Sequence, residues 1–289
     1  MQIISGSALA KEIKSRLAIE IGDLREKYKR APKLYIIMAG ENQDSIKYVK
    51  SKQKACHDIG MDCEIDFVPG TVSEKELLEI IHRLNLDDTV DGILIQLPLP
   101  LHIDTEKILE AVDYHKDADG LHPMNAGKLS DGTADILPCT PKGIISLLRY
   151  GNIPIAGKNA VVAGRSNLVG KPAAQLLLKE NATVTLCHSA TTDLAAHVGR
   201  ADILVLAMGA PEVITPAMLK PGVTIVDVAM NYIDGKLAGD IYCEKNLDEL
   251  GKKASAITPV PGGVGPMTIT SLLENTVDIY KKRMEISAG

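Results

Sequence analysis

A tyrosine and a lysine four positions apart, Tyr48 and Lys52, are the first side chains that could act together on a bound molecule. At this spacing both lie on one face of a helix, beside the apolar line formed by Ile46, Val49 and Cys56. A lysine at the edge of a buried surface can exchange protons. Most such pairs merely cover a helix flank, so the pair alone indicates a site only weakly.

Two further polar side chains follow apolar segments. Gln96 ends the strand-like run 92–95 and is followed by two prolines. Ligands of open α/β sheets bind at the carboxyl ends of strands, so Gln96 is either a site residue or a glutamine that satisfies loop backbone. Asp119 directly precedes Gly120, which is more typical of a plain turn. In a pocket, however, its carboxylate could accept two hydrogen bonds from an amidine-like N–H edge.

A strand, a glycine turn and a helix follow one another over residues 160–172. Glycines in the turn let the backbone bend and approach a ligand, and the free N–H groups of the new helix attract an anion such as a dinucleotide pyrophosphate. The spacing is not the usual G-x-G-x-x-G, and an ordinary strand–turn–helix corner is the alternative. The residues predicted to contact a dinucleotide here are Gly164, Arg165, Ser166, Val169 and Gly170.

The end of the next strand, 182–187, favours NADP over NAD. An NAD site usually places a carboxylate about 20 residues after the turn, where it binds the ribose 2′-hydroxyl. Here the chain has His188 and Ser189 instead. Together with Arg165 these side chains suit a 2′-phosphate, which arginine binds through two parallel hydrogen bonds. A surface arginine and a strand-end serine without such a role are the alternative.

The composition excludes several classes of protein. With 289 residues, 45% hydrophobic and 24% charged, the chain is typical of globular proteins with more than one domain. A net charge of -5 and 3% aromatic residues argue against nucleic-acid binding. No apolar run is long enough for a membrane span. Five cysteines without a C-x-x-C pair indicate reduced thiols and a cytoplasmic location, and the histidine spacing predicts no metal site.

Alternating strand and helix patterns predict an α/β fold with two open α/β domains. Strands are expected at 33–39, 63–68 and 90–97 in the first domain, and at 160–163, 183–187, 203–207 and 224–228 in the second. A helix capped by Thr140 would lead into the second domain, and a last helix, 268–283, would return to the first. We therefore expect a catalytic domain at 1–139 plus 268–289, a Rossmann-type domain at 140–267, and a cleft between them.

Six motifs that occur together and in order resemble those of a known family. They are Tyr48–Lys52, Asp91–Pro100, Lys116–Gly120, Pro138–Gly143, Gly164–Gly170 and Pro261–Thr268. The chain resembles the bifunctional methylenetetrahydrofolate dehydrogenases/methenyltetrahydrofolate cyclohydrolases of the bacterial FolD type. It departs from them slightly, with Ala118 where valine is common and Ala229 where a glycine often stands.

The resemblance implies a function and residue roles. The substrate would be 5,10-methylenetetrahydrofolate, oxidised with NADP to the methenyl form and then hydrolysed to 10-formyltetrahydrofolate. Lys52 would handle protons in the hydrolysis, with Gln96 hydrogen-bonded to it. Tyr48 would lie against the aminobenzoyl ring, and Asp119 would accept from the pterin N–H edge. The remaining roles are backbone contacts, to the substrate by Pro261, Gly262 and Gly263 and to the nicotinamide by Met230. The family also implies a homodimer.

Two other readings fit part of the sequence. An NADP-dependent dehydrogenase of a small keto or amino acid would share the cofactor half, but it gives no reason for Tyr48, Gln96 and Asp119 together. A catalytically silent NADP-binding regulator would have no use for Lys52.

Overall fold

The structure is a computed structural model that describes residues 1–233, 235–243 and 246–288. The chain divides into two compact units. The three-stranded unit comprises Glu12–Leu137 and the residues from Leu272 onward, and the six-stranded unit comprises Met1–Lys11 and Pro138–Ser271. The dividing points fall within the two longest helices, α1 (Gly6–Tyr28) and α10 (Val264–Ala288). Among the described residues, no helix is long and apolar enough to cross a membrane.

The three-stranded unit has a parallel sheet with β2 (Lys33–Ala39) in the middle, flanked by β3 (Asp62–Val68) and β4 (Gly92–Gln96). β2 and β4 are mostly buried and apolar, as expected for parallel strands that are covered on both faces, whereas the edge strand β3 exposes Asp62, Glu64 and Phe67. The helices that begin within this unit are α2 (Gln43–Asp58), α3 (Glu74–Leu86), α4 (Thr105–Ala111) and α5 (Pro123–Asp131). The α/β pattern predicted for this half of the chain is confirmed, although α5 was not predicted.

Helix starts in this unit follow local side-chain chemistry. The Asn42 side chain accepts hydrogen bonds from the N–H groups of Asp44 and Ser45, and α2 begins directly after it at Gln43. Helix α3 begins with a capping box, in which Ser73 and Glu76 exchange side-chain to backbone hydrogen bonds.

A buried carboxylate, Asp91, fixes the start of β4. Arg30 binds both of its oxygens, at 2.6 and 2.8 Å, and Arg283 of α10 binds one of them at 2.8 Å. Earlier in α10, the Asn275 amide donates to the Ala118 carbonyl oxygen at 2.9 Å. The C-terminal part of α10 therefore holds both β4 and the segment around Ala118 in place.

The six-stranded unit has a fully parallel sheet in the order β1-β11-β8-β7-β5-β6. The strands are β1 (Gln2–Ile3), β5 (Asn159–Ala163), β6 (Thr183–Cys187), β7 (Ile203–Leu206), β8 (Val223–Asp227) and β11 (Ala254–Ile257). A two-stranded hairpin consists of β9 (Asn231–Ile233) and β10 (Lys236–Ala238). The helices are α6 (Cys139–Tyr150), α7 (Gly170–Lys179), α8 (Leu194–Val198) and α9 (Leu247–Lys253), with a 3₁₀ turn at Pro216–Met218.

Two features differ from the sequence-based expectation. Residues 1–11 were expected in the same domain as 12–139, but β1 pairs with β11, with Gln2 opposite Ala256. A strand of two residues has no readable periodicity, and its partner lies at the far end of the chain. Thr140 was predicted to cap α6 and does not. The helix begins at Cys139, and the Thr140 hydroxyl lies 2.9 Å from that of Thr268.

Candidate active site

Lys52 and Gln96 form a buried hydrogen-bonded pair. Only 6% of Lys52 is exposed, and its Nζ donates to Gln96 Oε1 at 3.0 Å. The Gln96 amide nitrogen donates to the Leu97 carbonyl oxygen at 2.6 Å, which directs the amide oxygen to the lysine. Gln96 therefore satisfies loop backbone and orients Lys52 at the same time, so the two readings of its role are not exclusive.

Tyr48 completes this cluster on α2. The Lys52 Nζ lies 4.8 Å from the centroid of the half-buried Tyr48 ring, within cation–π distance. Val49 and Cys56 are fully buried and anchor the helix to the unit, as the apolar line predicted. The ammonium is thus held by an aromatic face and an amide oxygen at the edge of the core.

Two aspartates near the end of the third motif have different roles. Asp117 is buried and accepts hydrogen bonds from the N–H groups of Gly120 and His122 and from the Asn125 amide, at 2.8–3.0 Å. Burial raises the pKa of Asp117, and these hydrogen bonds oppose that rise. Asp117 is therefore the carboxylate that holds the turn. Asp119 is half-buried, and its carboxylate makes no hydrogen bond within the described parts of the chain.

Gln96 and Asp119 lie at the same edge of the sheet. Ile93 of β4 pairs in parallel with Asp117, and the Ile93 N–H donates to the Lys116 carbonyl oxygen at 2.7 Å. Gln96 therefore ends β4, and Asp119 lies two residues beyond the position that bridges to this strand. Open α/β sheets bind ligands at the carboxyl ends of their strands, and Gln96 stands at this end of β4 with Lys52 bonded to it.

The glycine turn after β5 leaves no room for side chains at two positions. Gly164 has a φ of +122°, and a Cβ there would lie 2.2 Å from the Ala207 carbonyl oxygen. A Cβ on Gly170 would lie 2.0 Å from the carbonyl oxygen of Gly164. The chain thus forms a tight backbone cradle at the N-terminus of α7, which fits the pyrophosphate of a dinucleotide.

Inside the cradle, Ser166 has a structural task. Its Oγ accepts hydrogen bonds from the N–H groups of Val169 and Gly170, at 3.1 and 3.4 Å. Sequence reasoning assigned Ser166 and Val169 to cofactor contact without foreseeing this bond. The serine shapes the turn that would hold the cofactor.

The side chains predicted to select NADP end two neighbouring strands. Ala163 of β5 pairs with Cys187 of β6, so Arg165 and Ser189 each lie two residues beyond a paired position. Both are exposed. His188 is half-buried, and its Nδ1 accepts from the Ala190 N–H at 3.2 Å. The contact of the arginine and serine with a 2′-phosphate stays a prediction, and the histidine shapes the strand end.

The last motif lines a cavity of about 490 Å³ within the six-stranded unit, together with Met230. Pro261, Gly262 and Gly263 form part of its wall. The Ser7 N–H donates to the Gly262 carbonyl oxygen at 2.9 Å, and a Cβ on Gly263 would lie 2.5 Å from the Pro259 carbonyl oxygen. The expected glycine-rich backbone surface is therefore present. Met230 is 62% exposed and the neighbouring Ala229 is buried.

Two buried carboxylates were missed by sequence reasoning. Asp227 ends β8 and Asp240 follows β10, and both bind several backbone N–H groups. The position of Asp227 at the end of an apolar strand was a usable signal. Nothing local distinguishes Asp240.

Comparison with known proteins decides the family. The model of the tetrahydrofolate dehydrogenase/cyclohydrolase catalytic domain matches residues 4–119, and that of the corresponding NAD(P)-binding domain matches residues 138–284. The chain belongs to the tetrahydrofolate dehydrogenase/cyclohydrolase family. The bifunctional protein FolD of Sulfurihydrogenibium sp. (strain YO3AOP1) is 50% identical over 286 residues, covering 98% of this chain and 99% of the relative. The FolD of Geotalea uraniireducens (strain Rf4) is 49% identical over 98% of this chain and 99% of its own.

Solved structures of this tetrahydrofolate family agree with the fold. The FolD methylenetetrahydrofolate dehydrogenase/cyclohydrolase of Campylobacter jejuni superposes with a TM-score of 0.94 at 44% identity, covering 98% of this chain and 99% of that one. The Trypanosoma brucei enzyme, complexed with NADP and an inhibitor, gives 0.92 at 39% identity, with 98% of each chain covered. Shikimate dehydrogenase from Aquifex aeolicus gives 0.52 at 16% identity over 85% of this chain and 97% of that one, which is a likeness in fold alone.

Proposed function

We propose that this chain oxidises 5,10-methylenetetrahydrofolate with NADP and hydrolyses the resulting 5,10-methenyltetrahydrofolate to 10-formyltetrahydrofolate. The observation that carries the proposal is the buried Lys52, held by Gln96 and Tyr48 at the carboxyl edge of a parallel sheet. A buried lysine with an oriented partner is suited to proton exchange. The family supports the same two activities, since its curated relatives are named bifunctional and a related structure holds NADP.

In the hydrolytic step water attacks the one-carbon bridge of the methenyl group, and the ring then opens. The water must lose a proton and a ring nitrogen must gain one. In this proposal Lys52 moves these protons, supported by the hydrogen bond through which the amide of Gln96 fixes the position of its Nζ. General acid–base groups of this kind contribute about 10²–10⁴-fold to a rate.

The folate is held by groups on the same unit as Lys52. The Tyr48 ring supplies a flat apolar face for the aminobenzoyl group. The carboxylate of Asp119 can accept two N–H bonds from the pterin edge, whose donors are spaced for a carboxylate. The family resemblance also assigns substrate contact to the backbone of Pro261, Gly262 and Gly263. These roles make the three-stranded unit the folate-binding part of the enzyme.

NADP supplies the nicotinamide ring that accepts the hydride in the first step. The backbone cradle around Gly164 and Gly170 would hold its pyrophosphate, because glycines at these two positions let the backbone at the N-terminus of α7 come close to a ligand. Arg165 and Ser189 would bind the 2′-phosphate, and the backbone near Met230 would contact the nicotinamide amide. The six-stranded unit is thus the NADP-binding part.

A spectrophotometric assay tests the proposal directly. Purified protein is given 5,10-methylenetetrahydrofolate and NADP, and NADPH and the methenyl species are followed together. We expect NADPH to form and the methenyl species to be consumed. The alternative, a dehydrogenase of small keto or amino acids, predicts turnover of those acids and none of the folate. No residue at the site favours it.

We also propose a homodimer in a reducing compartment such as the cytoplasm. The edge strand β6 carries Leu186, 37% exposed, and Leu178 of α7 is 62% exposed, which is the type of surface that a second copy covers. All five cysteines are free thiols, which suits a reducing environment. Light scattering should give about twice the 31.0 kDa of one chain. A mass equal to that of one chain at micromolar concentration would contradict the dimer.

A further inference from the structure

The carboxylate of Asp240 is enclosed by N–H donors from two separate loops. Only 2% of Asp240 is exposed. Its Oδ2 accepts from the N–H groups of Met208 and Gly209, at 2.9 and 3.2 Å, and its Oδ1 accepts from the Ala210 N–H at 2.8 Å. The Asn231 side-chain amide also donates to Oδ1, at 3.1 Å. Both oxygens are thus used twice, and no lysine or arginine of the described residues pairs with them.

A second carboxylate fixes the backbone that carries Asp240. Asp227 is buried and accepts hydrogen bonds from the N–H groups of Asp240, Ile241 and Tyr242, at 2.8–2.9 Å. A Cβ at residue 239 would lie 2.0 Å from an Asp227 oxygen, so only the glycine present there allows this approach. Asp240 therefore has a fixed backbone beneath its side chain.

The two segments that Asp240 binds lie at the carboxyl ends of strands of the six-stranded sheet, the edge at which open α/β sheets bind ligands (the ligand edge). Residues 208–210 follow β7, and Asn231 is the first residue of β9, at the end of the connection that follows β8 and directly after Met230. The Ala207 N–H, at the start of the loop after β7, donates to the Ala163 carbonyl oxygen at 2.8 Å. The carbonyl group of Ala207 is also the group that leaves no room for a side chain at Gly164. The carboxylate thus joins the loops after β7 and β8, and the first of these abuts the dinucleotide cradle.

The strand order indicates which half of the cofactor these loops meet. In a dinucleotide fold the pyrophosphate lies at the turn after the first strand, and the adenosine ribose lies at the end of the second. Here these strands are β5 and β6. The nicotinamide half must then extend to the other side of β5, over β7 and β8.

We propose that Asp240 is a positioning residue that sets the nicotinamide half of the NADP site and leaves the 2′-phosphate half unaffected. The inference rests on the proposed function, because it takes NADP as the ligand. Asp240 contacts neither substrate nor cofactor in this role. It acts through the backbone at 208–210 and through Asn231.

The test variant is Asp240→Asn, which keeps the shape but replaces one acceptor oxygen with an NH₂ group that faces N–H donors. The matched control is Asp202→Asn. Asp202 stands directly before β7, at the opposite end of the same strand, and also accepts a backbone N–H, that of Asn159 at 2.9 Å. The Asp202→Asn control therefore separates a general loss of stability in this sheet from an effect at the ligand edge.

Calorimetry, the rates of the two activities and hydrogen exchange test the proposal. Calorimetry should show NADP binding weakened about tenfold, with binding of 2′,5′-ADP, which lacks the nicotinamide half, within about twofold of wild type. The dehydrogenase kcat should fall by about tenfold to a hundredfold, because small misplacements of reacting atoms cost this much. The cyclohydrolase rate, which needs no NADP, should stay near wild type. Hydrogen exchange of the cofactor-free protein should become faster at the amides of residues 208–210, and Asp202→Asn should change none of these properties.

The opposite results would overturn the inference. They are equal losses for NADP and 2′,5′-ADP, equal losses of both activities, or unchanged exchange at 208–210. If Asp240→Asn does not fold, Asn231→Ala serves as a second variant, because it removes one donor to the carboxylate. It should weaken binding of NADP about threefold and leave binding of 2′,5′-ADP unaffected. Equal changes for the two ligands would again refute the role. If wild-type protein neither binds NADP nor oxidises the folate, the proposed function has failed, and that result is separate from any Asp240 variant.

Discussion

Replacing Lys52 by glutamine tests the proton chemistry of the hydrolytic step. Lys52 is 6% exposed and its Nζ lies 3.0 Å from Gln96 Oε1. A glutamine side chain is one bond shorter, but it keeps most of the bulk and has an NH₂ group that can donate to Gln96. It cannot exchange a proton at neutral pH. The substitution therefore removes the chemistry of Lys52 and keeps much of its packing.

The expected fall in the cyclohydrolase rate follows from the loss of a general acid–base group. A general acid–base group is worth about 10²–10⁴-fold, so the cyclohydrolase rate should fall at least about a hundredfold. Hydride transfer requires aligned carbons and no proton from Lys52. The dehydrogenase rate should therefore fall by less than about tenfold, because weakening a contact by roughly 1.4 kcal/mol lowers a rate about tenfold. The free energy of unfolding should change by less than about 2 kcal/mol, because the hydrogen bond to Gln96 is retained.

The assay follows NADPH and the methenyl species in one cuvette, and Lys52→Gln should make the methenyl species accumulate. Lys50→Gln is the matched control, since Lys50 is exposed on the same helix and its loss changes the net charge equally. It should leave both rates unchanged. If Lys52→Gln lowers both rates by the same factor, Lys52 positions the substrate and the proton chemistry lies elsewhere.

Three further variants test the rest of the site. Arg165→Ala should weaken NADP by about tenfold to a hundredfold and NAD far less, because a charge-assisted contact to phosphate is worth roughly 1.5–3 kcal/mol; equal losses by calorimetry would refute the assignment. Asp119→Ala should reduce both activities while NADP affinity stays near wild type, and intact folate binding would show that the carboxylate has no anchoring role. Gly164→Ala should abolish NADP binding, since its Cβ would lie 2.2 Å from the Ala207 carbonyl oxygen. Its cyclohydrolase activity should persist, and undiminished NADP affinity would contradict the cradle.

Features with a local cause were predictable from the sequence. The alternation of strands and helices, the capping box at Ser73 and the glycine turn at Gly164 depend on residues within a few positions of each other. The same holds for the Tyr48 and Lys52 pair, because a spacing of four places both on one helix face. The motifs that mark the family are also local strings.

Only the tertiary structure decided the features that join distant segments. Sequence reasoning could not assign the turn role to Asp117 and leave Asp119 for a ligand, because the burial of Asp117 goes with the pairing of its segment with Ile93 of β4. It could not place β1 beside β11, since two residues carry no period from which a partner can be read. Asp240 resembles any loop aspartate until the backbone at 208–210 surrounds its carboxylate. Strand order, register and buried hydrogen bonds depend on which segments meet, and that is set by the packing of the whole chain.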